Sequence, residues 1–303
     1  MSSWRHPNQR PTAELPVELR RVPVPELVRR WIGRSTRSRV VSVRRMPGAS
    51  STAVHAVRLA DGRACVLRRY AWEGFRTEEP DAPTREIAAL EYAHRHQLPV
   101  PVVIAADPSG NDVGDGIPAL LMARLPGRAH AAPDVGALAA LAARVHAVSG
   151  AGLEYHYFPW CRDTSTAPPR ASRHPDLWQQ ALHLWRTAQP AYQARFIHRD
   201  LHPGNVLWSR GALTGVVDWA NACSGPAGID IATCRWNLSE WAGAEAGTAF
   251  VAAYERLTGR PHHPYWDVAK IVEDDWDLID AREQVWAAEA LLARALPAQL
   301  AVN

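Results

Sequence analysis

The sequence predicts an α+β protein in which a small antiparallel sheet comes first and a larger, mostly helical part follows. Two observations carry this prediction. Residues 40–69 contain short β-prone runs, and the Asp61-Gly62 pair between two of them is a strong signal for a β-hairpin. From residue 134 onward, apolar residues recur at the three- and four-residue spacing that is typical of amphipathic helices.

Composition narrows the class of protein. The 303 residues can form two packed lobes, and the 47% of apolar residues can fill both cores. A formal net charge of +3 is too mild to indicate a nucleic-acid partner. The four cysteines lack a C-x-x-C pair, which indicates reduced thiols, and no apolar run is long enough for a leader or a membrane span. We therefore expect a soluble, cytoplasmic protein without a membrane partner.

Residues 1–38 are rich in arginine and proline, and one short amphipathic helix is predicted over residues 26–32. We interpret this segment as an N-terminal arm that packs on the first lobe. A nucleic-acid-binding tail is the other interpretation, which is disfavoured because Leu and Val residues dilute the charge.

The most informative stretch is residues 196–208, a loop between two apolar runs that holds the carboxylate of Asp200 and the amide of Asn205. Residues 215–219 then predict a short buried strand that presents a second carboxylate, Asp218. The spacing fits the H-R-D-x-x-x-x-N pattern of kinase-type scaffolds, in which such groups hold a hydroxyl and Mg²⁺. A solvated Asp/Asn turn is the alternative, which the ordered series of motif elements disfavours.

The same residues resemble those of a known family. Residues 198–205 read H-R-D-L-H-P-G-N and resemble the catalytic loop of the aminoglycoside phosphotransferase family of small-molecule kinases. Residues 217–219, 225–226 and 230–232 (V-D-W, G-P and D-I-A) resemble the metal strand of that family and the aspartate that follows it. The resemblance covers about residues 40–296.

The resemblance implies a bilobal, protein-kinase-like fold. After the arm, residues 39–121 would form an N-lobe with a nucleotide-binding sheet and helix. Residues 122–127 would be the hinge linker, and residues 128–303 would form a mostly helical C-lobe with the catalytic loop, the metal site and the acceptor-binding helices.

The resemblance also implies roles for the residues of the loop. Asp200 would be the catalytic residue that orients the attacking hydroxyl, and Asn205 and Asp218 would bind Mg²⁺. Asp230 would brace the catalytic loop, through His198 or through the loop backbone.

The cation that meets the nucleotide phosphates from the first half of the chain must be an arginine, because Lys270 is the only lysine. In the family, an apolar pair followed by lysine usually stands where this chain has Val-Leu-Arg68, so Arg68 is the candidate and Arg69 the fallback. Glu86, near the start of the next predicted helix, would be its partner. A solvent-facing arginine on an edge strand and an exposed glutamate in a first helical turn are the competing interpretations.

Two further stretches complete the predicted nucleotide site. The small, hydroxyl-rich loop with Ser50 and Ser51 could approach the phosphates, although a plain turn is equally compatible with it. The resemblance places Met122 beside the adenine pocket, with backbone groups of Ala123 and Leu125 pairing with the base. A methionine in an apolar strand can also serve the core alone.

The second half of the chain is predicted to be helical. Helices are expected to start at Asp134, Pro175 and Asp230 and to cover residues 244–257 and 265–296, the last in one or two pieces. Residues 273–280 form an acidic cluster. A solvated helix face is its default explanation, and binding of a cationic substrate is the alternative.

The predicted activity is transfer of the γ-phosphoryl group of ATP or GTP, with Mg²⁺, to a hydroxyl of an aminoglycoside-like antibiotic or another hydroxylated metabolite. Two other functions remain open. A non-enzymatic nucleotide-binding regulator is suggested by the arginine at the lysine position and by the weak phosphate loop. A protein kinase is disfavoured, because the sequence has no G-x-G-x-x-G loop and no A-P-E segment after Asp218.

Overall fold

The computed structural model describes residues 24–46, 49, 51–130, 133–160, 168–274, 276 and 282–302. The chain forms two compact units. The first unit comprises Met1–His130 and Gly204–Ala222, and the second comprises Ala131–Pro203 and Cys223–Asn303. Residues 204–222, which the sequence division assigns to the C-lobe, therefore group with the first unit.

The described residues form helices and strands that we number in chain order. The helices are α1 Glu26–Thr36, α2 Glu73–Glu78, α3 Ala82–Arg95, α4 Val135–Ala147, α5 Pro175–Thr187, α6 Ala227–Ala242, α7 Ala244–Thr258, α8 Tyr265–Val272 and α9 Arg282–Val302. The strands are β1 Val40–Arg45, β2 Ala53–Leu59, β3 Ala64–Arg69, β4 Val103–Asp107, β5 Ala119–Ala123, β6 Ala194–Ile197, β7 Val206–Ser209, β8 Ala212–Val216 and β9 Cys223–Pro226. A 3₁₀ turn, Pro203–Asn205, precedes β7.

The first unit is built on a five-stranded antiparallel sheet with the strand order β1-β2-β3-β5-β4. The predicted hairpin is confirmed, since β2 pairs with β3. At its turn, Asp61 accepts a hydrogen bond from the Arg63 N–H at 2.9 Å, and Gly62 takes a φ of +88°. The positive φ explains the glycine at this position.

Helix α1 covers one side of this sheet. Its residues Val28, Trp31 and Ile32 share one face, because residues spaced three and four apart lie together on a helix. They pack in one buried cluster with side chains of β2 and β3. The predicted arm therefore contains a helix that packs on the first unit, while residues 1–23 lie outside the described residues.

The hairpin β7-β8 completes the first unit. The N–H of Val216, at the end of β8, donates to the carbonyl of Pro99 at 2.8 Å. The backbones of Arg128 and Trp208 exchange two hydrogen bonds, at 3.1 and 2.9 Å. These bonds hold the strand that leads to Asp218 against the rest of the unit.

The second unit is mostly helical, as predicted, and tryptophans are prominent in its core. Trp178 of α5, Trp236 of α6 and Trp266 of α8 lie in one buried cluster. Asp134 caps α4 as predicted, since its carboxylate accepts the N–H of Ala137 at 2.9 Å. The predicted segment over residues 265–296 forms two helices, α8 and α9.

One predicted helix start is wrong. Helix α6 begins at Ala227 rather than at Asp230, which lies in its first turn. Pro226 immediately precedes the helix, and its fixed φ and missing N–H suit a helix start.

Two expectations from composition can be compared with the structure. Within the described residues, no helix has the length and apolar character that crossing a membrane requires. The buried residues Cys65, Cys223 and Cys234 form no disulfide with one another, and Cys161 lies outside the described residues.

Candidate functional site

Arg68 lies on β3, the central strand of the five-stranded sheet. It stands opposite Val54 of β2 on one side and Leu120 of β5 on the other. Only 8% of the residue is exposed. The interpretation as a solvent-facing arginine on an edge strand is therefore wrong.

The guanidinium of Arg68 joins two carboxylates. Its Nη1 donates to Glu86 Oε2 at 3.1 Å and to Asp218 Oδ1 at 2.7 Å. Glu86 lies in the second turn of α3 and is 1% exposed, and the hydroxyl of Tyr70 also donates to its Oε2. Glu86 is therefore an interior residue rather than an exposed helix-start carboxylate. The fold brings residues 68, 86 and 218 together, and no sequence signal marks Tyr70 as their neighbour.

Burial and charge act in opposite directions in this cluster. Burial disfavours the charged guanidinium of Arg68, but the carboxylates of Asp218 and Glu86 outweigh it and raise the pKa of Arg68 above its usual value. Burial raises the pKa of Glu86, against the opposing effect of Arg68. Burial, together with Glu86, also raises the pKa of Tyr70. Arg68 therefore stays cationic, and the negative charge of Glu86 depends on it.

Arg69 faces the other side of the sheet, because successive side chains of a strand point to opposite faces. Its Nη2 donates to both carboxylate oxygens of Asp115, at 2.8 and 2.7 Å. Arg69 thereby holds the loop between β4 and β5. Of the two candidate arginines, Arg68 is the one beside Glu86 and Asp218.

Asn205 and Asp218, the predicted metal ligands, lie on neighbouring stretches of backbone. The N–H of Val217 donates to the carbonyl of Asn205 at 2.9 Å, which holds the end of the 3₁₀ turn beside the residue that precedes Asp218. Asp218 takes a left-handed φ of +70°, and 42% of its side chain is exposed. It is therefore accessible to an ion from solvent.

This donor set fits Mg²⁺. A carboxylate and an amide oxygen are hard ligands, and Mg²⁺ commonly uses only one or two carboxylates together with substrate phosphates and water. Over the part of the chain that the structure describes, no group of three or more His, Cys, Asp or Glu side chains could hold a metal on its own. A site that relies on Asp218, Asn205 and a bound phosphate is consistent with that finding.

Asp230 anchors the start of the predicted catalytic loop from within the second unit. Its Oδ2 accepts the N–H of His198 and its Oδ1 accepts the N–H of Arg199, both at 2.7 Å. The Nε2 of His146 lies 3.1 Å from Oδ2, and the Nδ1 of the same ring lies 3.0 Å from the hydroxyl of Tyr254. Asp230 is fully buried in the first turn of α6, where the helix dipole favours a negative charge.

These bonds tie two segments to one carboxylate. The prediction assigned Asp230 a contact through His198 or through the loop backbone, and the structure records the backbone bonds. His146 was missed by the sequence analysis, since a single histidine within an apolar helix carries no signal of a distant partner.

Asp200 lies three residues after β6, also within the second unit. Its side chain is 25% exposed, and its N–H donates to His198 Nδ1 at 3.3 Å. The Nε2 of His202 lies 3.7 Å from its Oδ1, and the His202 ring meets the ring of Trp241 edge-on at 5.7 Å. His202 belongs to the motif itself, which is the sequence signal that could have marked it.

The predicted base-binding residues lie at the end of β5. Met122 is 6% exposed, so its side chain belongs mainly to the interior of the first unit. The N–H of Ala123 donates to the carbonyl of Val102 at 2.8 Å, so this N–H is already occupied and does not donate to a base. Leu125 is half-buried in the segment that follows β5.

Two predictions fall partly outside the described residues. In the predicted phosphate loop, Ser51 is half-buried and Ser50 lies outside the described residues. Of the acidic cluster at residues 273–280, Glu273 is only 5% exposed. The interpretation as a solvated helix face is therefore wrong for Glu273.

Comparison with known proteins identifies the family of the chain. Residues 42–269 match the model of the phosphotransferase enzyme family, APH. The chain belongs to this family. Membership confirms the predicted resemblance and the predicted class of protein, a phosphotransferase.

Among curated proteins, the family member is similar to homoserine kinases. It is 31% identical to the homoserine kinase of Pseudomonas aeruginosa (strain PAO1) in an alignment of 196 residues, and the match covers 55% of this chain and 58% of the relative. It is 36% identical to the homoserine kinase of Gluconacetobacter diazotrophicus in an alignment of 81 residues, and that match covers 22% of this chain and 24% of the relative. The matched region thus spans well under two thirds of these relatives.

Among solved structures, this phosphotransferase is similar to aminoglycoside phosphotransferases. A thermostable mutant of APH(4)-Ia in ternary complex with ADP and hygromycin B has a TM-score of 0.58 at 16% identity, covering 89% of this chain and 98% of that one. Aminoglycoside-3'-phosphotransferase of type VIII has a TM-score of 0.53 at 20% identity, covering 84% and 93%. At such low sequence identity, a structural similarity shows the fold alone. This similarity confirms the predicted α+β, protein-kinase-like fold class.

Proposed function

We propose that this phosphotransferase is a small-molecule kinase that transfers the γ-phosphoryl group of ATP or GTP to a hydroxyl of a small acceptor. The observation that carries the proposal is the contact of one buried cation, Arg68, with both Glu86 and Asp218. A central strand, a helix and the proposed metal strand meet at this point. That arrangement suits a site for nucleotide phosphates and Mg²⁺.

The nucleotide end of the site depends on Arg68. Its Nε is buried and has no hydrogen-bond partner among the described residues. A phosphate oxygen is the kind of acceptor that such a donor lacks, and a guanidinium matches phosphate geometry with its planar fork. Glu86 would hold the side chain in place through Nη1, and Tyr70 would support it by its hydrogen bond to Glu86.

The metal would be held by Asn205 and Asp218. Bound there, Mg²⁺ would supply charge neutralisation on the nucleotide phosphates. Asp218 has a left-handed backbone conformation and lies two residues after the end of β8, so its position depends on the β7-β8 hairpin. Asn205 is tied to the same backbone by the bond from Val217.

The acceptor hydroxyl would be oriented by Asp200. Its carboxylate would accept a hydrogen bond from the hydroxyl and take up the proton as the new O–P bond forms. The bond between the γ-phosphorus and the bridging oxygen would break in the same step, and the nucleoside diphosphate would leave. Because the transition state of phosphoryl transfer is loose, most of the rate enhancement should come from orientation rather than from a strong base. Asp200 is suited to this role, since Asp230 fixes the backbone of the two residues that precede it.

The acceptor class follows from the relatives and not from the fold, because one fold supports many substrates. The curated relatives are homoserine kinases, and one structural neighbour was solved with hygromycin B. An amino acid with a side-chain hydroxyl and an aminoglycoside-like antibiotic are therefore the acceptors to test first. Sequence identity is higher to the homoserine kinase, at 31%, than to the structural neighbour, at 16%. Homoserine is therefore the first acceptor to test.

The proposal is tested by a mass-resolved acceptor screen. Purified protein is incubated with Mg²⁺, ATP or GTP, and a panel of homoserine, other hydroxy amino acids, hygromycin B and further hydroxylated metabolites. Asp200→Asn is run in parallel, with Asp176→Asn, an exposed aspartate of α5, as the matched control. We expect one phosphorylated product. Its rate of formation should fall by roughly a hundredfold or more in Asp200→Asn and should stay at the wild-type level in Asp176→Asn.

Two outcomes would contradict the proposal. Product that forms equally well in Asp200→Asn would remove Asp200 from the mechanism. Nucleotide binding without any product across the panel would favour the non-enzymatic regulator.

A further inference from the structure

Arg199 lies between His198 and Asp200, and its backbone takes a conformation that residues with a side chain rarely adopt. Its φ is +69°, in the left-handed region that disfavours every residue except glycine. The residue is also 3% exposed. A disfavoured turn of this kind persists only where the surrounding structure holds it.

Arg199 is held at both ends. Its backbone N–H donates to Asp230 Oδ1 at 2.7 Å. At the other end, Nη1 donates to the carbonyl of Phe158 at 2.6 Å and Nη2 donates to Glu273 Oε2 at 3.1 Å. Each side chain of the Arg199–Glu273 pair is 3% exposed, so water screens this ion pair very little.

Aromatic side chains surround the same guanidinium. Its central carbon lies 4.4 Å from the ring centroid of Tyr157, 4.7 Å from that of Trp160 and 5.7 Å from that of Phe158, within the range of cation–π attraction. The hydroxyl of Tyr157 also donates to Glu273. Burial raises the pKa of Glu273, and Arg199 and Tyr157 oppose that rise. We refer to Tyr157, Phe158, Trp160 and Glu273 as the arginine clamp.

The position of Arg199 decides what the arginine clamp can do beyond stabilising the fold. The dihedral angles of residue 199 set the direction of the peptide that carries Asp200. The N–H of Asp200 donates to His198 Nδ1 across this turn, so the turn and the orientation of Asp200 are linked. We propose that Arg199 is a positioning residue, and that the arginine clamp holds the left-handed turn that directs the Asp200 carboxylate. This inference rests on the proposed function for the role of Asp200.

The test uses two variants and one matched control. Arg199→Lys keeps a positive charge beside Glu273. It loses the planar guanidinium, which donates to the Phe158 carbonyl and to Glu273 at the same time. Glu273→Gln keeps the shape of the clamp and removes its charge. Arg235→Lys is the control, because Arg235 forms a comparable ion pair, 2.6 Å from buried Asp267, elsewhere in the second unit.

Two measurements separate positioning from stability. In steady-state kinetics with the acceptor found by the screen, we expect kcat to fall about tenfold in Arg199→Lys and Glu273→Gln, while KM for the nucleotide stays within about twofold. Amide hydrogen exchange of the peptide over residues 196–203 should become faster in the same two variants. Arg235→Lys should change neither quantity, even if its melting temperature falls by a similar amount.

The outcomes distinguish this inference from the proposed function. Unchanged kcat in a folded Arg199→Lys protein, or an equal loss in Arg235→Lys, would overturn the positioning role. If the wild type phosphorylates no acceptor, the proposed function fails. The hydrogen-exchange measurement still tests whether the arginine clamp holds the turn. Exchange at the wild-type rate in both variants would overturn that role of the clamp.

Discussion

At the scale of single residues, the arginine at the usual lysine position changes which groups a cation on β3 can contact. A lysine ammonium is a compact point charge, whereas a guanidinium presents a planar fork. Nη1 of Arg68 contacts Glu86 and Asp218 at once, so the carboxylate proposed for Mg²⁺ already belongs to an ion pair. The three charges are therefore coupled, and removing one of them should change the pH dependence of stability.

We expect the Glu86→Gln variant to gain stability relative to the wild type as the pH rises. In the folded chain the pKa of Glu86 is raised above its usual value of 4.5. A raised pKa contributes stability that is complete below the unfolded pKa and is lost as the pH rises through the folded pKa. Glutamine does not ionise. The difference in melting temperature, variant minus wild type, should therefore increase from about pH 4.5 upward.

The measurement is a series of thermal unfolding curves across that pH range. Glu91→Gln, an exposed position on the same helix, is the control, and its difference from the wild type should not change with pH. A Glu86→Gln difference that is equally flat would show that the Glu86 carboxylate has an ordinary pKa in the folded chain.

At the scale of elements, the loop between β4 and β5 is organised around one carboxylate. Asp107 accepts the N–H groups of Gly110 and Val113, each at 2.8 Å. Gly110 has a φ of +77°, and a Cβ there would lie 2.2 Å from the nitrogen of Ile117, so only glycine fits. Burial alone would raise the pKa of Asp107, but the bonds from Val113 and its neighbours outweigh burial and lower it. The loop therefore depends on a buried, ionised aspartate.

We expect Asp107→Ala to lower the free energy of unfolding by roughly 2–4 kcal/mol, because it leaves buried N–H groups without an acceptor. Asp107→Asn should cost less, since its amide oxygen still accepts one of the bonds. A lowered pKa contributes stability that is present above the usual pKa and is lost as the pH falls through the folded pKa. The difference in free energy of unfolding between the wild type and Asp107→Ala should therefore become smaller at acidic pH.

Urea unfolding at neutral and acidic pH provides the measurement. Asp112→Ala, at an exposed position of the same loop, should stay within about 0.5 kcal/mol of the wild type. Wild-type stability in Asp107→Ala would mean that the loop is held by other contacts.

At the scale of the whole molecule, sequence separation decided what could be predicted. The hairpin and helix patterns are local, so the fold class could be predicted. Asp200 lies in one contiguous motif, so membership of the family could be predicted as well. Asp230 and His146 are 84 residues apart, and Arg199 and Glu273 are 74 apart; no periodicity or motif links such pairs. The acidic run at residues 273–280 predicts a solvated helix face, and nothing in the run shows that one of its members pairs with a buried arginine. Exposure was therefore wrongly predicted for Glu273.

The proposed nucleotide site combines stretches that are far apart in the sequence, and this allows a test of the first unit as a whole. The groups proposed to hold the phosphates and Mg²⁺ come from two distant stretches, residues 64–90 and residues 204–222. If one Mg²⁺–nucleotide complex binds both, adding it should slow amide hydrogen exchange in both stretches together, because a bound ligand raises the free energy of local opening. In Asp218→Ala the protection should fall in both stretches, whereas Asp112→Ala should keep it. Protection confined to one stretch, or unchanged in Asp218→Ala, would mean that the two stretches do not form one site.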